Sequence, residues 1–420
     1  MSVLNPVQRA AAAAMADHLA AALTTPPLMD YGDDYSPNSP RWRDQSLSKG
    51  AAGVAILHGL RAHHGLADEK PVHAWLARAT RDDLTAGPGA GLWFGAPALA
   101  FALHLAAPGA YPSAMASLDA GVTQLVHTRL ATAHARIDAG RRPSQYEFDL
   151  TRGLAGLGAH LLTRDPAGEL VRQVLAYLVR LTEPVDAADE AGASAPGWWT
   201  HDSSAHERDP AFAAGEANFG MAHGCSGPLA LLALAMRQGV VVEGHATAID
   251  RICRWLDDWR QQDPAGPWWP ERITVDELHA GRPTQGGPLR PSWCYGTPGL
   301  ARAQQLAALA LGDRVRQRAA EDALARCLAD PVQLARISDP ALCHGLAGLL
   351  ATAWHAAADA LTPAIIAHLP HLLDTLLAHA RDTPPEPLPG LVEGRAGIAL
   401  TLHTLATGVT GGWPACLLIN

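Results

Sequence analysis

Two cysteines and a histidine carry the clearest chemical signal in this 420-residue chain. Cys294 stands two residues before Gly296, Cys343 stands two before Gly345, and His344 lies between Cys343 and its glycine. Both glycines open the same phrase, Gly-x-x-Gly followed by an apolar run, so the two thiols share one register in neighbouring copies. If consecutive copies are adjacent in space, the three side chains can meet a single ion. Two thiolates and an imidazole suit Zn²⁺, and three protein ligands leave a fourth tetrahedral position for water or substrate, as in catalytic zinc sites. A single cysteine at an apolar helix start reads as a small buried hydrophobe. Two in equivalent register, one of them beside a histidine, favour the metal.

Other reactive side chains fall near the same register. His223, directly before Gly224, enters as a fourth ligand or as a separate acid/base. Asp149, four residues before Gly153, and Arg290, six before Gly296, form either a plain structural salt bridge or an ion pair that orients His223. Tyr295 sits between Cys294 and Gly296, where it contacts the reacting groups or only packs. Cys225, just after Gly224, is expected to pack into a helix start.

Positioning these groups falls to a repeat. The glycine phrase occurs seven times, opening at Gly50, Gly95, Gly153, Gly224, Gly296, Gly345 and Gly394, with Ala98 replacing the second glycine of the second copy. Successive second positions are 45, 58, 71, 72, 49 and 49 residues apart, and the shortest interval accommodates two helices with turns. The run after each glycine pair is rich in Ala and Leu, as in Leu229 to Ala235, whereas preceding segments such as Arg314 to Arg326 carry more charge. The first kind reads as an inner helix and the second as an outer one. With β-branched alternation scarce, the expected fold is all-α: an α/α toroid of seven helix pairs forming a single domain over residues 1–420. An open solenoid is the structural alternative, because a sequence does not display closure.

Crowding near a ring centre and a tight entry turn account for the glycines. Seven helices entered in the same way would bring seven N-termini, with their partial positive charge and free N–H groups, to one end. The longest intervals hold irregular inserts near 183–219 and 263–291, with a third at 381–390. Trp198-Trp199 and Trp268-Trp269 within them are either lids over exposed core or substrate contacts.

Composition narrows the partners. Hydrophobic residues make up 48% and charged residues 17%, the latter against about 25% in an average soluble domain, so much of the chain is buried and general disorder is excluded. A net charge of −9 without a long basic run disfavours nucleic acid and anionic membranes. Arg9, Asp17 and His18 interrupt the alanine-rich start, which reads as an amphipathic helix rather than a secretory signal. No stretch reaches the ~18 uncharged apolar residues of a membrane span, and the expected location is cytoplasmic. Six cysteines without dense spacing point to thiols or metal ligands rather than disulfides.

Trp293-Cys294-Tyr295-Gly296, Cys343-His344-Gly345 and His223-Gly224, together with the seven glycine phrases, resemble the lanthionine synthetase cyclase (LanC-like) family over nearly the whole chain. The chain departs from the family at Phe148, where members often carry tyrosine, and at Ala98. The resemblance implies an α/α toroid with a central zinc on Cys294, Cys343 and His344, and with His223, Asp149, Arg290 and Tyr295 at active-site positions. It also implies the reaction: addition of a peptide cysteine thiol across the double bond of a dehydroalanine or dehydrobutyrine, closing a thioether ring. Zinc would lower the thiol's pKa, and two thiolate ligands would keep the incoming sulfur nucleophilic. His223 would protonate Cα after attack at Cβ. The implied partners are a dehydrated precursor peptide with its leader, a separate dehydratase and a transporter. Two other functions remain open: a LanC-like enzyme that adds glutathione to dehydrated residues, and a non-catalytic, zinc-stabilised peptide-binding scaffold.

Overall fold

The computed structural model describes residues 4–27, 39–184, 195–201, 210–382 and 388–420. Among these, fourteen helices of ten residues or more follow one another as α1 (Pro6–Ala22), α2 (Ala51–His63), α3 (Lys70–Ala79), α4 (Ala96–Ala106), α5 (Pro112–Asp138), α6 (Leu154–Arg164), α7 (Glu169–Leu181), α8 (Ser226–Arg237), α9 (His245–Asp258), α10 (Thr297–Leu311), α11 (Arg314–Ala329), α12 (Leu346–Asp359), α13 (Leu369–Asp382) and α14 (Arg395–Thr407). The even-numbered helices are the seven that follow the glycine phrases, and they are apolar nearly all round. In α8 every residue from Ser226 to Ala235 is buried. The odd-numbered helices are amphipathic. Helix α7 buries Val171, Val174, Leu175, Leu178 and Leu181, the spacing of one helical face. Helix α1 opens with a capping box between Asn5 and Gln8 and buries Ala12, Ala16, Leu19 and Ala20.

The chain divides into two compact units. The first comprises Met1–Leu125, Ser338–Trp354 and Ile366–Pro414. In it α2 packs on α3, α4 and α14, while α1 packs along α14 and α13, so the first and last long helices are neighbours. The second comprises Val126–Ile337, His355–Ile365 and Ala415–Asn420. There α6, α8 and α10 lie side by side, with α7, α9 and α11 packed against them.

Helices α2, α10, α12 and α14 each start where the incoming loop folds back onto the first turn. A Cβ added at Gly53, Gly299, Gly348 or Gly397 would lie 2.2, 2.0, 1.8 or 1.9 Å from the carbonyl oxygen of Leu47, Trp293, Leu342 or Leu391, in every case the sixth residue upstream. The glycines therefore answer to the chain's own returning loop, a more local cause than the ring-centre crowding expected from the sequence. Neighbouring loops are joined by backbone hydrogen bonds. In the first unit the N–H of Leu47 donates to Trp93 O (3.0 Å), that of Leu391 to Leu47 O (3.0 Å) and that of Leu342 to Val392 O (3.1 Å). The seventh loop thus lies beside the first. In the second unit Leu150 donates to Ala222 O (3.1 Å) and Met221 to Cys294 O (2.9 Å).

The inserts contain short antiparallel pairs, which the scarcity of β-branched alternation did not foreshadow. Strand β1 (Glu216–Asn218) and strands β2 (Gln261–Asp263), β3 (Gly266–Trp268) and β4 (Arg272–Thr274) make two ribbons, β1 with β4 and β2 with β3. Both tryptophan pairs are buried. Trp198 meets Trp255 edge-on, and the Trp269 indole donates to Leu256 O at 2.7 Å, so core cover is the reading these positions support. Of the first insert 185–194 and 202–209, and of the third 383–387, lie outside the described residues. Among the described residues no helix is long and apolar enough to cross a membrane.

The returning loop makes a test of its own. Gly299→Ala is expected to lower stability by about 1–3 kcal/mol through overpacking. Gly286→Ala, at a position where nothing lies within 4 Å of an added Cβ, is expected to stay within about 0.5 kcal/mol of the parent. Thermal or denaturant unfolding of the two variants side by side measures the difference.

Candidate functional site

The loop before α10 is a tight turn in which the Ser292 hydroxyl and backbone N–H both donate to Tyr295 O, at 2.8 and 3.0 Å. The Trp293 indole is fully buried and donates to Leu417 O at 2.9 Å, which anchors the residue before Cys294. Cys294 itself is buried, with its Sγ 3.4 Å from Ser292 Oγ. In the loop before α12, the N–H groups of Leu342 and Cys343 converge on Val392 O. Cys343 and His344 are half-buried. His344 Nε2 lies 3.0 Å from Asp339 Oδ2, and Asp339 is fixed in turn because its Oδ1 accepts from Ala341 N at 2.6 Å.

The sulfurs of Cys294 and Cys343 and a ring nitrogen of His344 all lie within 4.8 Å of one another. Two soft donors and one imidazole at that spacing fit a divalent zinc ion, and three donors are fewer than its tetrahedral shell holds. A carboxylate that accepts the Nε2 proton leaves Nδ1 as the unprotonated nitrogen, the one that could bind an ion, and fixes the ring's orientation.

His223 comes from the loop before α8, one copy earlier in the chain than Cys294. Its Nδ1 is 2.7 Å from Asp149 Oδ2, and Asp149 is fully buried. The carboxylate accepts from Thr151 Oγ1 (2.8 Å), Arg152 N (2.8 Å) and Gly153 N (2.7 Å) as well. The last two N–H groups lie in the turn just before α6, and the Gly156 N–H of the helix's first turn donates to the Asp149 backbone oxygen at 3.2 Å, so Asp149 ties the helix entry to the imidazole. With Nδ1 committed to Asp149, Nε2 is the nitrogen able to exchange a proton with a substrate. The backbone bonds from Leu150 to Ala222 and from Met221 to Cys294 tie the segments bearing Asp149, His223 and Cys294 together.

Among the described residues the expected ion pair between Asp149 and Arg290 does not form. The oxygens of Asp149 are taken by His223, Thr151 and the α6 start. The cation whose field reaches Asp149 is Arg129, whose own pKa burial lowers. Arg290 has its Nε buried without a hydrogen-bond partner, and its charge acts on Glu271, a carboxyl that burial pushes up. Glu271 also feels Cys294, so Arg290 belongs with the Cys294 loop rather than with Asp149. Burial, opposed by the charge of Arg272, raises the Tyr295 phenol to about 12. Cys225 caps α8 from a buried position, and burial pushes its thiol far above the ordinary range, as befits a packing residue.

The family model described as "Lanthionine synthetase C-like protein" matches residues 41–418. The chain belongs to that family. It is 23% identical over 207 residues to the nisin biosynthesis protein NisC of Lactococcus lactis subsp. lactis, a match spanning 49% of this chain and 48% of that relative. A solved structure titled nisin cyclase matches with a TM-score of 0.77 at 20% identity, over 90% of this chain and 93% of the other. That likeness shows the fold, an α/α toroid. The open solenoid is thereby set aside.

Three residues of this LanC-like site escaped sequence reasoning. Asp339 sits five residues before His344, and a carboxylate close upstream of a ligand histidine was the available signal. Asn218 and Arg272 lie on β1 and β4 and reach Tyr295 only through the ribbon. No spacing announces them. Asp339→Asn is expected to weaken zinc binding by about 10–100-fold with the fold intact, as read by chelator competition. Unchanged affinity would remove Asp339 from the metal's support.

Proposed function

We propose that the protein is a zinc-dependent lanthipeptide cyclase that adds peptide cysteine thiols to dehydroalanine or dehydrobutyrine, forming lanthionine and methyllanthionine rings. The observation that carries this reading is the thiol–thiol–imidazole cluster of Cys294, Cys343 and His344 in a LanC-like chain. Once held by these three side chains, zinc would lower the pKa of an incoming thiol while the two thiolates offset its charge.

The remaining chemistry falls to the protein. Sulfur attacks Cβ, a C–S bond forms, the π electrons of the double bond move toward the carbonyl as an enolate, and Cα then takes a proton. His223 delivers that proton from Nε2 and takes up the one the thiol gives away, so the addition consumes nothing and changes no mass. Asp149 holds the imidazole in one orientation and stabilises its protonated form. Arg290 adds positive charge beside the Cys294 loop, where negative charge on the substrate is favoured. Tyr295 contacts the reacting substrate from the residue after Cys294. The reading places the protein in the cytoplasm as a single LanC-like domain, acting on a precursor peptide with its leader that a separate dehydratase has prepared, with a transporter downstream.

Cys294→Ala and Cys343→Ala are expected to lose zinc and ring closure without unfolding. His223→Ala is expected to keep zinc and lose about 10²–10⁴-fold in rate. Metal analysis, together with thiol titration and mass spectrometry of a dehydrated cysteine peptide, reads all three. Loss of one thiol per ring at constant mass is the expected result. A product heavier by an added thiol would reassign the protein to glutathione addition, and zinc loss in His223→Ala would make that residue a fourth ligand.

A further inference from the structure

The Tyr295 hydroxyl receives two hydrogen bonds, from Asn218 Nδ2 and from an Arg272 terminal nitrogen, both at 2.9 Å. The amide's orientation is set independently, because Asn218 Oδ1 accepts from Gly220 N at 2.9 Å and so turns the NH₂ toward the phenol. Arg272 is set as well: its guanidinium lies 5.1 Å from the centre of the Tyr295 ring and pairs with the buried Glu216 at 3.2 Å. A phenol oxygen accepting from two donors keeps one remaining capacity, donation of its own O–H. Asn218 also reaches the His223 loop, since its backbone carbonyl accepts from Cys225 N at 2.9 Å. One buried residue therefore fixes both the turn that bears His223 and the phenol beside Cys294.

We propose that Asn218 and Arg272 are positioning residues that commit the Tyr295 hydroxyl to donating a hydrogen bond, and that its acceptor is the carbonyl oxygen of the dehydroamino acid as it becomes an enolate. The assignment rests on the cyclase reading and adds to it a division of labour. His223 moves the proton at Cα, whereas Tyr295 transfers none and stabilises charge on oxygen. Arg272 and Asn218 act through Tyr295 and do not touch the substrate.

The test is steady-state cyclisation of a dehydrated cysteine peptide by the full-length, zinc-loaded protein. Tyr295→Phe is expected to lower kcat about 100-fold and Arg272→Gln about tenfold, with KM within about twofold and zinc content unchanged. The double variant is expected to be no slower than Tyr295→Phe alone, because the second change acts only through the first. Arg272→Lys, which still offers a charged donor, is expected to recover most of the loss. A second readout, the ¹³Cζ resonance of Tyr295 in substrate-free protein, is expected to move in Arg272→Gln. Multiplying losses in the double variant, a change in KM instead of kcat, or a resonance that stays put would each overturn the assignment. A wild type that consumes no peptide thiol would count against the cyclase reading itself.

Discussion

The approach of a loop carbonyl to a helix's first turn, closer than any Cβ allows, is the constraint on which the site rests. At Gly299 and Gly348 the carbonyls of Trp293 and Leu342 occupy the place a side chain would take. Those two loops carry Cys294 and Cys343. The position of each thiol relative to its helix is thus fixed by backbone contact over six residues, before any tertiary packing is counted. Backbone hydrogen bonds from loop to loop then carry that register sideways, as from Met221 to Cys294 O and from Cys343 to Val392 O. Helix packing supplies most of the stability of such a chain, while the loops decide where reactive atoms stand.

Within this lattice each reactive ring is held by a carboxylate that is itself held by backbone. Asp149 takes the N–H groups of Arg152 and Gly153 in the turn before α6 and holds His223; Asp339 takes Ala341 N and lies against His344. A carboxylate held by backbone N–H groups is fixed in place as an acceptor, so one ring nitrogen is committed and the other left for chemistry. The same arrangement thus holds His223 in one loop and His344 in another.

The sequence displayed the parts of this site that depend on local spacing. Cys294, Cys343, His344, His223 and Tyr295 were legible as candidates because each sits within two residues of a repeat glycine, and the copies bearing Cys294 and Cys343 share the returning loop that Gly299 and Gly348 mark. Asp149 was legible as a residue near α6, but its partner was not: the helix start and His223 outcompeted Arg290, a choice made by three-dimensional reach. Asn218 and Arg272 were invisible because three-residue strands leave no periodic trace, and their contacts to Tyr295 depend on how β1 pairs with β4. Closure, too, is invisible from spacing alone, since nothing in the seventh copy records that it will lie beside the first.

The backbone of the residues just before these glycines helps hold the loops, as at Cys294 O and Cys343 N, while their side chains are left to vary. Cys294 and Cys343 put thiols at these places, whereas in the first and seventh copies Lys49 and Glu393 use them for an ion pair at 3.1 Å, with the Ser48 hydroxyl also donating to Glu393. Seven loops on one scheme thus act as interchangeable sockets, into which evolution or an engineer can fit acids, bases or ligands without redrawing the frame. A toroid of this kind is a chassis on which the residue types in the sockets, more than the helices, set what chemistry the loops can offer.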